Sequence, residues 1–138
     1  MAVVVFDADV LIAYLARGDA HHAEAVERMR RALEPQTRRL VSAVNYTEVL
    51  IGPLRAGGSK AAEVVEAMLV QFWIETITVD MALAQRAAAV RARTNLKVPD
   101  AYAVATAIHA EHRGWEDVRL ESFDDDVVKA YADLHPLS

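Results

Sequence analysis

Four acidic residues, Asp7, Glu48, Asp100 and Asp124, are the side chains of this sequence whose type and position could do chemistry. The chain has 20 Asp and Glu residues, most of them among polar neighbours, as Glu24, Glu27, Glu63 and Glu66 are. These four interrupt apolar faces instead. Asp7 ends the run VVVF. Glu48, in SAVNYTEVLIG, shares a helical face with Val44 and Ile51. Asp100, in KVPDAYAVATAIHA, heads a stripe continued by Val104, Ala107 and Ile108. Asp124 follows the apolar run in VRLESFDDDVV.

Gathered in one crevice, four carboxylates repel one another, and Arg55 and Lys97 are too few to neutralise them. A divalent cation would. Oxygen ligands with no His or Cys suit Mg²⁺ or Mn²⁺. Such a site can activate a water and stabilise the charge that builds on a phosphodiester during in-line displacement. Each acid also has a purely structural use. Asn45 with Glu48, and Ser122 with Asp125, have the spacing of a capping box. Asp100 suits a helix N-terminus through the dipole, and Asp7 suits a turn or an N-cap.

The elements that must position these acids alternate. Apolar, β-branched runs predict strands over 3–6, 39–42, 74–79 and 118–121. Helical periodicity predicts helices over 10–16, 21–33, 43–55, 59–72, 80–93, 99–112 and 125–134. Pro53 is expected to kink or shorten the third of these, Gly57 and Gly58 to end it, and Ser59 to cap the next. Alternation of this kind gives an α/β fold, a parallel sheet with helices on both faces. In such a sheet the strand-to-helix junctions share the carboxyl edge, where ligands bind. Asp7 and Asp124 fall just past strand ends, and Glu48 a few residues past another.

The remaining composition narrows the class. At 138 residues and 54% hydrophobic content the chain is expected to be one globular domain. The lack of cysteine removes disulfides and thiolate metal sites. No basic n-region and no long apolar stretch is present, which predicts a cytoplasmic protein without a membrane span. A net charge of −5 argues against nucleic-acid binding by bulk electrostatics. The basic residues are unevenly spread, with Arg28, Arg30, Arg31, Arg38 and Arg39 in one cluster and Arg86, Arg91, Arg93 and Lys97 in another, clusters that could guide a phosphodiester substrate towards the acids. Trp73 and Trp115 are expected in core or dimer packing rather than stacked on bases.

At these same acids the chain resembles the PIN-domain family, in particular the VapC-type toxin ribonucleases of prokaryotic toxin–antitoxin pairs, over nearly its whole length. VVFDADVLIAYLARGDAHH is similar to the family's opening, with Asp7 as its first acid. VSAVNYTEVLIGPLR carries Glu48, VPDAYAVATAIHA carries Asp100, and VRLESFDDDV carries Ser122 and Asp124. The resemblance implies a PIN-like three-layer fold, 1–138, with a short, mainly parallel sheet of four to five strands flanked by helices. It implies endonuclease action on RNA, Mg²⁺ or Mn²⁺ as cofactor, a homodimer and a VapB-type antitoxin. Asp7 and Asp100 would bind metal directly. Glu48 and Asp124 would bind it directly or through water and orient the attacking water, with Asp9 and Ser122 in support.

Two departures stand out. Asp9 occupies a position where the family usually has Asn, Ser or Thr. The stretch between Asp100 and Asp124 is long, with EHRGWEDVR as the excess, which leaves Asp125 and Asp126 as alternatives to Asp124. A rival resemblance exists too. Strand–Asp7-x-Asp9 is similar to the nucleophile and acid pair of haloacid-dehalogenase-like phosphatases, although that reading leaves Glu48 and Asp100 unexplained. A non-catalytic PIN-like binding protein is the alternative outside enzymes.

Overall fold

Val3, Val4, Val5 and Phe6 are all buried, so their strand can only be central and covered on both faces. In a computed structural model of the chain, which describes residues 1–134, that is where it lies. The elements run β1 (Ala2–Phe6), α1 (Ala8–Leu15), α2 (His22–Ala32), β2 (Thr37–Ser42), α3 (Ala43–Gln71), β3 (Ile74–Ile77) and α4 (Met81–Arg93). They continue with α5 (Val98–His112), β4 (Asp117–Glu121) and α6 (Asp125–Leu134). The four strands described form one parallel sheet in the order β3-β2-β1-β4. Val3 aligns with Arg38 of β2 and Val118 of β4.

Alternate residues of β1 serve two cores, the period-two consequence of the pleat. Val4 and Phe6 pack with Val41, Leu11, Met29 and Val65 under α1, α2 and α3. Val3 and Val5 pack with Leu40, Ala107 and Ala110, against α5. Beyond them α4, α5 and α6 share Leu83, Val90, Val104, Ile108 and Val127. Helix α5 is alanine-rich and buried over eight of its residues, which lets it lie close to the sheet beneath α4 and α6. The result is three layers, helix–sheet–helix. No helix among the described residues is long and apolar enough to cross a membrane.

Several expectations shift for local reasons. Helix α1 starts at Ala8 rather than at position 10, because Asp7 itself is the N-cap and accepts the Ala8 N–H. Helix α3 is interrupted at Gly58 (φ 65°, ψ −151°) and not at Pro53. That backbone region is essentially closed to residues with a Cβ. The break therefore falls where Gly57 and Gly58 were expected to end the helix. β3 ends at Ile77, short of position 79, where Asp80 turns the chain to cap α4 through the Leu83 N–H. Trp73 is 78% exposed with φ 53°, so it is not a core residue.

The first basic cluster is largely consumed by structure. Arg39 donates to the carbonyls of Ala32, Thr37 and Phe72, tying α2 and α3 to β2. Arg38 forms a bidentate pair with Glu75 and lies over the Trp115 ring, and Arg30 pairs with Glu27. Little of it remains to steer RNA.

Candidate metal centre

The strand order reverses direction at β1: the chain goes first to β2 and β3 on one side, then crosses to β4 on the other. Ligands of open α/β sheets bind beside such a switch point, outside the carboxyl ends of the strands. Asp7 stands at the end of β1, and the segment Ser122–Asp124 follows β4 on the adjacent strand. The Asp7 N–H donates to the Glu121 carbonyl at 2.9 Å, so the two strand ends are laced together at the site.

Asp7 is 3% exposed. Its Oδ1 accepts the Ala8 N–H and its Oδ2 accepts the Ser122 hydroxyl, both at 2.8 Å. Burial and the neighbouring Asp9 push its carboxyl up to about 7, against the pull of those two hydrogen bonds. Ser122 Oγ in turn accepts the Asp124 N–H at 3.0 Å and lies 3.4 Å from Asp9 Oδ2. Asp9 Oδ2 accepts the Phe123 N–H at 2.9 Å. A single buried serine therefore ties together three acids from two strand ends. Asp124 Oδ1 caps α6 through the Asp126 N–H, while Asp125 and Asp126 are exposed on that helix. The Ser122–Asp125 capping box does not form, since the Ser122 oxygen is engaged elsewhere.

The second half of the site comes from α3 and α5. Ser42 caps α3 by accepting the Asn45 N–H, and its hydroxyl donates to Asn45 Oδ1 at 2.7 Å. Asn45 is fully buried, and its amide donates to Glu48 Oε1 and to the Pro99 carbonyl, both at 3.0 Å. Glu48 does not reach back to a backbone N–H as a capping box would have it. Its Oε1 is held by Asn45, which also pins the first turn of α5, where Asp100 sits. Burial raises the Asp100 carboxyl, and the charges of Asp124, Glu48 and Asp9 raise it further, with Lys97 in opposition.

Asp100 feels Asp124, Glu48 and Asp9, and Asp7 feels Asp9 and Asp100, which links the four acids and Asp9 in one region. The structure brings together residues separated by up to 117 positions, with no positive charge among the main influences on Asp7 or Asp9. Among the described residues, no three His, Asp or Glu side chains are placed close enough together to hold a metal ion as they stand. An open, oxygen-only, over-charged site fits Mg²⁺, which binds through one or two carboxylates and keeps several waters. Asp9 Oδ1, beside these acids, is a buried oxygen that accepts no hydrogen bond of good geometry among the described residues.

Two positioning residues escaped the sequence reading. Asn45 was visible only as half of a supposed capping box, although the i, i+3, i+6 spacing of Ser42, Asn45 and Glu48 marks one helical face. Arg28 was assigned to a basic cluster, but its guanidinium donates to Glu121 and to the Ser122 carbonyl and lies over the Phe123 ring. It clamps the β4 end from α2. No signal in the sequence connects the two.

Replacing Asn45 by Ala should destabilise the protein by about 2–3 kcal/mol, because the Pro99 carbonyl and Glu48 lose a buried donor together. Urea denaturation measures this, and unchanged stability would show that water replaces the amide.

The family model described as PIN domain matches residues 4–134. No curated relative matches the chain by sequence. Among solved structures, the chain is similar to the sarcin-ricin-loop-cleaving toxin VapC20 of Mycobacterium tuberculosis, with a TM-score of 0.70 and 21% identity over 92% of this chain and 94% of that one. It is similar to a toxin–antitoxin complex from Klebsiella pneumoniae, with a TM-score of 0.60 and 27% identity over 89% and 88%. It also resembles VapBC-1 of nontypeable Haemophilus influenzae, with a TM-score of 0.66 and 13% identity over 95% and 93%.

Proposed function

The chain belongs to the PIN domain family, and from that membership we propose that it is a divalent-metal-dependent endoribonuclease, the toxin of a VapBC-type toxin–antitoxin system. The observation that carries this reading is the convergence of Asp7, Glu48, Asp100 and Asp124 at the sheet's switch point. Burial first, and then the charges of neighbouring acids, raise the carboxyls of Asp7, Asp9 and Asp100. Asp7 and Asp100 would hold Mg²⁺ or Mn²⁺ directly, with Glu48 and Asp124 bound directly or through water. When bound, the ion supplies charge stabilisation at the phosphodiester and acidifies a water. The chain's own part is to hold four charged groups where they would not otherwise stay. Ser122 orients Asp7, Asn45 orients Glu48, and Glu48 and Asp124 orient the attacking water.

The neighbours from Klebsiella and Haemophilus are toxin–antitoxin assemblies, which supports a VapB-type antitoxin as partner. An acidic crevice suits an Arg or Lys delivered by such an inhibitor. RNA as substrate, a homodimer and a cytoplasmic site of action complete the reading. The phosphatase alternative loses its ground with the family membership, and it accounts for neither Glu48 nor Asp100.

The test is cleavage of a labelled total-RNA pool by antitoxin-free protein, with Mg²⁺ or Mn²⁺ and with chelator, for wild type and Asp100→Asn. Discrete cuts that need both the metal and Asp100 are expected, with the variant about 100- to 1,000-fold slower, an effect the size of losing a main electrostatic contributor. A folded, metal-loaded wild type that cuts nothing would leave a non-catalytic PIN-like binding protein.

A further inference from the structure

The acids account for the phosphate of a substrate and leave open what meets its bases. Neither tryptophan is placed to do so. Trp73 and Trp115 precede β3 and β4, so in a parallel sheet they lie at the edge opposite the acids. An aromatic group does stand at the acid edge. Phe123 lies between Ser122 and Asp124, and its N–H donates to Asp9 Oδ2 at 2.9 Å. Its ring packs against the core under α1, α2 and α3. The His21 imidazole is stacked on that ring, with centroids 4.8 Å apart and planes 19° from parallel.

Both members of the stack are held in place. Arg28 lies over the Phe123 ring, its guanidinium carbon 4.7 Å from the centroid, and is itself anchored to Glu121 and to the Ser122 carbonyl. The His21 N–H donates to Asp19 Oδ1 at 2.8 Å, and the His21 carbonyl accepts the Ala25 N–H in the first turn of α2. The imidazole is put to no such use. It stands at the N-cap of α2 but caps nothing, it is exposed, and among the described residues it makes no hydrogen bond. An exposed ring fixed in place, with its polar edge unused, is pre-organised to stack on a base at little entropic cost.

We propose that His21 is a base-stacking residue, which receives the unpaired base of a nucleotide beside the scissile phosphate. The proposal rests on the ribonuclease reading of the acids. It adds that the substrate is single-stranded at the cut, because a base inside a duplex has no free face to offer.

The test uses the full chain, free of antitoxin, and a labelled single-stranded oligoribonucleotide that spans a cut mapped in the RNA pool. His21→Ala should raise KM about tenfold or more, the worth of one base on an aromatic ring, with a much smaller change in kcat. His21→Phe should restore KM, since it keeps a ring and drops the imidazole nitrogens. Oligonucleotides with one base removed at successive positions around the cut then locate the stacked base. At one position the wild type should lose about tenfold in KM, and His21→Ala should lose nothing further there. A residue that merely packs on Phe123 would be blind to a missing base. Thermal melts confirm that both variants are folded.

An unchanged KM in His21→Ala, or the same penalty for each missing base in wild type and variant, would overturn this inference and leave the ribonuclease standing. A fall in kcat with KM unchanged would overturn it too, making His21 a support for Phe123 alone. A folded wild type that cuts no RNA would overturn both.

Discussion

Asp7→Asn will melt higher than the wild type at pH 8 in chelator, by several degrees, while losing metal-dependent RNA cleavage. The cause is the carboxyl of Asp7, raised from 3.8 to about 7 by burial and by Asp9. Below about pH 4 the group is protonated in both the folded and unfolded chain and exerts no penalty. Between about pH 4 and 7 the folded state keeps a proton that the unfolded state has released, so stability falls as pH rises. Above 7 the penalty is complete. At about 1.4 kcal/mol per pH unit, the full rise corresponds to a ceiling of about 4 kcal/mol. Asn keeps an acceptor for the Ala8 N–H and removes the charge, so half of that ceiling is a conservative gain. Two further observations check the cause. The advantage of the variant should shrink towards pH 4, and added Mg²⁺ should raise the melting temperature of the wild type but not of the variant. A variant less stable than wild type at pH 8 would mean that Asp7 stabilises the strand end as a cap and is not strained by its charge.

The second large effect is on metal binding itself. A carboxylate must lose its proton before it can ligate, so protons and cations compete for Asp7. With its carboxyl at about 7, Mn²⁺ affinity should weaken about tenfold per pH unit below that point, or about 100-fold from pH 7 to pH 5. Above about pH 7.5 the curve should flatten. The carboxyls of Asp9 and Asp100 are raised as well, by burial first and then by neighbouring acids, which steepens the fall at the acid end. At metal concentrations below saturation, RNA cleavage should follow the same curve, and excess metal should move it to lower pH. Calorimetric Mn²⁺ titrations at pH 5, 6, 7 and 8 measure it. Affinity independent of pH across that range would mean that Asp7 is already ionised and lies outside the coordination sphere.

Much of this protein is decided locally and is therefore legible in its sequence. Val3–Phe6 can satisfy their apolar side chains only as a buried strand. The stripe from Val104 to Ile108 can do so only as a buried helix face. Alternation of such elements forces parallel strands, and parallel strands force their junctions to one edge, so the four acids could be picked out and assigned to one crevice. What the sequence lacked was the identity of the partners. Asn45 bonds the carbonyl of Pro99, 54 positions away, and Ser122 bonds Asp7 across 115. Arg28 reaches Ser122 across 94. Hydrogen bonds are directional and short, so which groups meet depends on where α5 and β4 come to rest against β1, not on spacing along the chain. Nor could spacing separate Asp124 from Asp125 and Asp126. At the start of α6 the charge of Asp124 acts on Asp9 and Asp100, while Asp125 and Asp126 are exposed, which supports Asp124 as the fourth acid. The setting of Asp9 is of the same kind. Its residue type was plain from the start, but only the packed strand ends determine that Phe123 takes one of its oxygens while the other accepts no hydrogen bond of good geometry among the described residues.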